Sequence, residues 1–178
     1  MKSCHSTGKR ISYLKKSKKT ISTSYKNKIK QAINDGNYVE ASTLRAEWKN
    51  ALKDNTISQY QERADKADKK AAKSQALAAL DEGNYKKQNK HLESQKKSLR
   101  VSYNWQIKIA KKKGDTLEVA RLQAEKEKEL RDLTKEEFDN IANTYDNQVG
   151  LNNNKIRGII RMCERVAASG GTLTPYSA

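Results

Sequence analysis

A short turn phrase recurs three times along this chain, each time between two stretches with helical patterning. Ala32-Ile33-Asn34-Asp35-Gly36 is followed by Asn37-Tyr38, Ala79-Leu80-Asp81-Glu82-Gly83 by Asn84-Tyr85, and Ala110-Lys111-Lys112-Lys113-Gly114 by Asp115-Thr116. Sixteen residues after each glycine stands a leucine: Leu52, Leu99 and Leu130. Glycine tolerates the left-handed conformation that closes a helix, and Asn, Asp or Thr just beyond it can cap the next one. The pattern therefore predicts helices folded back on one another at Gly36, Gly83 and Gly114. The glycines stand 47 and then 31 residues apart, which is not the even period of a solenoid, so the turns share hairpin chemistry without forming a regular array.

The composition decides how such helices can pack. Of 178 residues only 35% are hydrophobic, 33% are charged, and there is a single Phe. Long Lys, Glu, Gln and Arg side chains favour helix, and the one proline, Pro175, lies close to the C-terminal end of the sequence. These features predict an all-α fold of antiparallel helical hairpins, an elongated bundle with thin, coiled-coil-like apolar seams, which self-association or a partner would help to stabilise. The two cysteines, Cys4 and Cys163, form no disulfide framework, and no apolar run is long enough to span a bilayer or serve as a secretory leader. The expected setting is a reducing cytoplasm.

Residues 1–20, rich in Lys and Ser, read as a flexible basic arm, residues 21–169 as the helical body, and residues 170–178 as a flexible tail. Ile21, Tyr25, Ile29, Ala32 and Ile33 form the first apolar stripe, and Val39, Ala41, Leu44, Trp48, Ala51 and Leu52 the second. Asp54-Asn55-Thr56 either starts a new helix or interrupts a long one with polar residues. From Gln61 to Lys73 alanines are the only apolar residues, as in a helix mostly in water or on one face of a shallow coiled coil.

Leu99, Val101, Tyr103, Trp105, Ile107 and Ile109 alternate with polar residues, which is strand periodicity. As a helix they form two stripes, Leu99/Tyr103/Ile107 and Val101/Trp105/Ile109, suited to a central element packed on two sides. The helical flanks favour helix. Beyond Gly114 the apolar pattern runs through Leu133. Thr134-x-x-Glu137 has the form of a capping box and predicts a restart there. Residues 150–154 predict a loop before a last short amphipathic helix containing Ile156, Ile159, Ile160, Cys163 and Val166, stopped by Gly170-Gly171.

The residues offer little for catalysis. Ser6-Thr7-Gly8-Lys9 resembles the end of a phosphate-binding loop but lacks its first glycine and the hydroxyl after the lysine, where Ser3 and Arg10 stand. Cys4-His5, His91 and Cys163 have no spacing that assembles a zinc site, and no other cofactor is implied. No nucleophile, base and orienting group come together, so an enzyme is not expected.

Charge is the stronger signal. The net charge is +16, and residues 1–30 contain ten Lys or Arg and no acidic residue, while 115–139 hold nine carboxylates against five bases. Lys9, Arg10, Lys15, Lys16, Lys18, Lys19, Lys26, Lys28 and Lys30 are therefore the candidate polyanion-binding residues, neutralising DNA phosphates without reading sequence. Tyr13 and Tyr25 flank the cluster as candidate stacking platforms for unpaired bases. Trp48 and Trp105, beside other apolar residues, read as seam residues.

Two segments carry a resemblance. Ser102-Tyr103-Asn104-Trp105-Gln106 is similar to the start of the helical core in internal virion proteins of short-tailed bacteriophages. Glu164-Arg165-Val166-Ala167-Ala168-Ser169-Gly170-Gly171-Thr172-Leu173 resembles the same family's segment after its long helices. The resemblance spans about residues 85–175. It implies a structural, non-catalytic protein inside the capsid or at the portal, made in the host cytoplasm, touching packaged DNA and leaving with it. Its implied partners are portal or other virion proteins and further copies of itself. The alternatives are a non-packaged nucleic-acid-binding accessory protein and a coiled-coil adaptor whose charge is incidental.

Overall fold

The computed structural model describes residues 7–168, which form four helices in series: α1 (Thr7–Asn34), α2 (Tyr38–Leu80), α3 (Tyr85–Lys113) and α4 (Thr116–Ala168). No strand occurs among the described residues, and Leu99–Ile109 lies wholly within α3. The all-α expectation holds.

The turn phrase does what its chemistry implies. Gly36 and Gly114 take φ of 74° and 82°. Asn37 N–H reaches back to the Ala32 carbonyl at 2.8 Å, and Asp115 N–H to the Ala110 carbonyl at 3.0 Å, so both turns recover carbonyls that the helix end would orphan. The following residue opens the next helix: Asn37 Oδ1 accepts from Glu40 N–H, Asn84 Oδ1 from Lys87 N–H and Asp115 Oδ1 from Glu118 N–H.

Each helix packs on its sequence neighbours, and α2 and α3 are the central pair. On α2, Ala64, Ala67, Ala71, Ser74 and Ala78 recur at helical spacing and are all buried. Small side chains there let the α3 backbone approach closely, which is the shallow seam the alanine pattern allows. Ser74 and Ser94 share a hydrogen bond of 3.0 Å across it. The α1–α2 seam buries Ile29, Ala32 and Ala41 beneath Tyr25, Leu44 and Trp48. The α3–α4 seam buries Tyr103, Ile107, Ala110 and Leu122 with Leu99 and Val119 against them. The two stripes of α3 thus face different neighbours, since Trp105 stacks on Tyr60 of α2 with ring centroids 5.1 Å apart.

Three expectations are corrected. The arm expected over residues 1–20 is helical from Thr7. Asn55, buried on α2, donates to the Leu14 carbonyl at 3.1 Å, and Arg10 Nε pairs with Glu62 at 2.8 Å, so α2 extends far enough to hold the N-terminal half of α1. The same bond accounts for Asp54-Asn55-Thr56 as a polar stretch inside one long helix. The restart expected at Thr134 is absent. Thr134 Oγ1 donates to the Leu130 carbonyl and accepts from Lys96 Nζ, while Glu137 pairs with Lys96, so neither side chain is free to cap. Residues 150–154 continue α4, since no residue there takes a positive φ and no proline interrupts. Residues 1–6 and the tail expected at 170–178 lie outside the described residues.

Placing alanine at Gly114 is expected to cost about 1–2 kcal/mol in urea unfolding, the penalty of a Cβ in the left-handed region. Tyr103 gives a pH signature. Burial, then its hydrogen bond to Glu129 and the nearby Glu129, Glu125 and Asp68 carboxylates, push its phenol up to about 12. The folded chain therefore holds this proton more tightly than the unfolded chain, whose tyrosine titrates near 10. Stability from this group is fully present below about pH 10 and falls as pH rises through about 12. Tyr103→Phe should remove that part of the alkaline loss, read as the difference between the two unfolding-versus-pH curves.

Candidate nucleic-acid interface

The helix periodicity of α1 sorts the candidate cations. Leu14, Ile21, Tyr25, Ile29 and Ala32 turn toward α2. At 100° per residue, Lys9, Lys16, Lys19, Lys26 and Lys30 then lie within roughly 80° of the opposite pole. All five are exposed, as are Lys15, Lys18 and Lys28. The apolar positions are used up by the seam, so the lysines are forced outward, where hydration costs nothing. The structure brings them together as a row on a rigid helix, roughly 40 Å long at 1.5 Å per residue.

Two candidates are engaged elsewhere. Arg10 is half-buried in its pair with Glu62. Lys28 Nζ sits 5.6 Å from the centre of the Tyr25 ring. That ring is itself packed against the Ile29/Ala32/Ala41 cluster, so Tyr25 is a seam residue and not an open stacking platform. Tyr13 remains 57% exposed.

Lys18 stands apart. It borders a groove of about 600 Å³ whose lining also includes Lys49, Asn50, Lys53 and Thr56 of α2 and Lys112 of α3. Four lysines from three helices converge there without a lining carboxylate. A second groove, about 460 Å³, is bordered by Arg63, Lys66, Lys70 and Lys97 around Ile11, Val101 and Trp105. Trp105 there lies between Arg63, 4.8 Å from its ring centre, and Lys108, at 4.2 Å. It is a seam residue toward Tyr60 and a platform for cations toward the groove.

Sequence reading missed Lys49 and Lys53 because residues 47–54 also contain Glu47 and Asp54, which do not line the groove, and Lys112 because it lies on another helix. The i, i+4 spacing of Lys49 and Lys53 and the lysine run before Gly114 were the available signals.

Part of the acidic stretch of α4 is engaged within the fold. Arg121 pairs with Glu118 and Glu125, and the Arg121 contact holds the Glu118 carboxyl below its usual range. Glu137 meets Lys96, and Lys126 donates to Asn104. The basic α1 face and the acidic first half of α4 pack on different members of the central pair, α2 and α3. Among the described residues no helix is long and apolar enough to cross a membrane.

No protein-family model matches this sequence, and no curated protein or solved structure shows significant similarity to it.

The geometry separates the outward lysines from Arg10, which is engaged in the α1–α2 seam. Lys16→Ala with Lys19→Ala should leave the urea midpoint almost unchanged, within about 0.5 kcal/mol as for exposed positions. Arg10→Ala should cost up to about 1 kcal/mol, because it strands Glu62 on a partly buried seam.

Proposed function

We propose that this chain is a structural, non-catalytic protein that holds nucleic acid through its phosphates, with no reading of base sequence. The observation that carries this reading is the convergence of Lys18, Lys49, Lys53 and Lys112 on one groove, with the outward lysine row of α1 as a second basic face. Duplex DNA presents one negative charge for about every 1.7 Å of axis and carries condensed counterions. A rigid basic helix laid along it releases those ions, and that release supplies the affinity. Because the lysines stand on packed helices, little side-chain-bearing backbone has to be ordered on binding.

The setting proposed is the interior of a bacteriophage virion or its portal, where packaged DNA is the available polyanion. Support for the setting is the likeness of Ser102–Gln106 and Glu164–Leu173 to internal virion proteins of short-tailed phages. Ser102 and Tyr103 are buried in the seams of α3, so packing alone also accounts for part of that likeness.

The test is duplex-DNA affinity, by fluorescence anisotropy, as a function of salt. Affinity should fall steeply with added salt. Replacing Lys18, Lys49, Lys53 and Lys112 by Gln should flatten the logarithmic slope by about 0.9 for each phosphate that is no longer neutralised. A salt-independent affinity, or an unchanged slope in the fourfold variant, would falsify the phosphate reading. Mass spectrometry of purified virions tests the setting: a copy number in proportion to the portal ring is expected, and absence overturns it.

A further inference from the structure

Beyond the last bond that ties it to α3, α4 carries a second apolar stripe. Asn140, buried, donates to Asn89 at 2.9 Å, and no later residue of α4 up to Met162 is buried or half-buried. Yet Phe138, Ala142, Tyr145, Val149, Asn152, Ile156, Ile159 and Cys163 recur with spacings of four and three without a break. That is a heptad seam over nearly four heptads, roughly 39 Å of helix. The large apolar members are half to two-thirds exposed, from 54% at Ile156 to 66% at Phe138. The stripe is not the α3-facing one prolonged. At 100° per residue its centre lies roughly 125° around the helix from Leu133, Glu137 and Asn140. The α3-facing positions continue as Thr144, Asn147 and Gln148, which are polar, with Leu151 the next apolar residue on that side.

We infer that residues 138–163 of α4 pair with the same segment of a second copy of this chain, parallel and in register. Three observations select that occupant. First, the seam contains one polar residue, Asn152, at its middle. Only parallel, in-register pairing sets Asn152 against Asn152, where two amides can bond each other. Every antiparallel heptad register sets it against Ala142, Val149, Ile156 or Cys163 and buries an unsatisfied amide.

Second, the flanks are compatible with self-pairing. Parallel packing sets Ile141 beside Asp146, Gln148 beside Asn153 and Lys155 beside Ile160 of the other copy, so no like charges meet. Ile141, Ile160 and Met162 widen the apolar strip, and the surface covered between two copies is on the order of 1,200 Å², the size of a specific interface.

Third, this stretch is a poor helix former by itself. It contains Gly150, Gly158 and Asn residues at 143, 147, 152, 153 and 154. A helix of that composition draws its stability from a packed face, and beyond Asn140 no residue up to Met162 is covered. Gly150 and Gly158 stand on the outer side of the heptad, where they weaken the helix without touching the seam. This inference stands apart from the phosphate reading, since none of the groove lysines lies on α4.

Sedimentation equilibrium of the full chain should give twice 20.2 kDa, and Ile156→Lys should give 20.2 kDa with α1–α3 still folded. The second arm uses Cys163 in a Cys4→Ser background. Oxidation or a short thiol–thiol cross-linker should join two chains at Cys163, which parallel pairing sets opposite itself. Antiparallel pairing places the two thiols tens of ångströms apart and gives no cross-link. A 20.2 kDa mass for the natural chain at tens of micromolar overturns the inference. An unchanged mass in Ile156→Lys, or a dimer that Cys163 fails to lock, overturns it equally. Circular dichroism of the Ile156→Lys monomer guards against misfolding, because it should lose only the helix of the α4 extension.

Discussion

A stripe of small side chains along α2 sets the geometry of the rest. Ala64, Ala67, Ala71, Ser74 and Ala78 bury little area each, so they contribute modestly to stability. Their value is proximity: α3 can lie against them backbone to backbone, and its own larger residues are released to face other neighbours. Leu92 and Ser102 are almost completely enclosed as a result, and Tyr103 and Ile107 are free to build the seam with α4. Enlarging an alanine in that stripe would push α3 outward and open both seams together. A chain with 35% hydrophobic residues has no thick core to absorb such a shift.

The same shortage explains where the charge goes. On α1 the thin seam takes most of the apolar residues, so lysine covers what remains of that helix. On α1 it is left unpaired over most of the helix, while on the first half of α4 it is matched by carboxylates. Electrostatic repulsion along α1 is tolerated because its neighbour α2 supplies Glu62 and because water screens the outer face. Three helix segments nevertheless converge on one groove with four like charges. Lys18, Lys49, Lys53 and Lys112 line that groove without a lining carboxylate, and this one-signed lining is the physical basis of the phosphate-binding proposal.

The hairpin architecture was legible because it is written locally: a glycine with positive φ and an Asn or Asp cap are neighbours in sequence. The central placement of α3 was legible for a similar reason, since two apolar stripes on one helix need two neighbours. The helical N-terminal half of α1 was hidden. What holds it is Asn55 reaching the Leu14 carbonyl and Glu62 reaching Arg10, forty to fifty positions away. Lys49, Lys53 and Lys112 of the groove were hidden by the same distance, being scattered along two helices far in sequence from Lys18. The outer row on α1 needed only an unbroken absence of acid, which sequence displays directly.

The errors on α4 are instructive because the local signals there were sound ones. Thr134-x-x-Glu137 can cap a helix only if both side chains are at liberty, and Lys96 of α3 occupies both. Gly150 and the asparagines that follow weaken a helix, yet nothing in the backbone between Asn140 and Cys163 turns it. Local propensity and observed helix therefore disagree over one stretch, and it is the stretch whose apolar heptad has no covering element among the described residues. Those two facts have one economical resolution. The stretch is helical because a face is meant to be covered, and the face is polar at the single position where two identical chains in register could satisfy it. A propensity deficit of about 1 kcal/mol for each glycine is then no flaw in the helix but the margin that a partner restores.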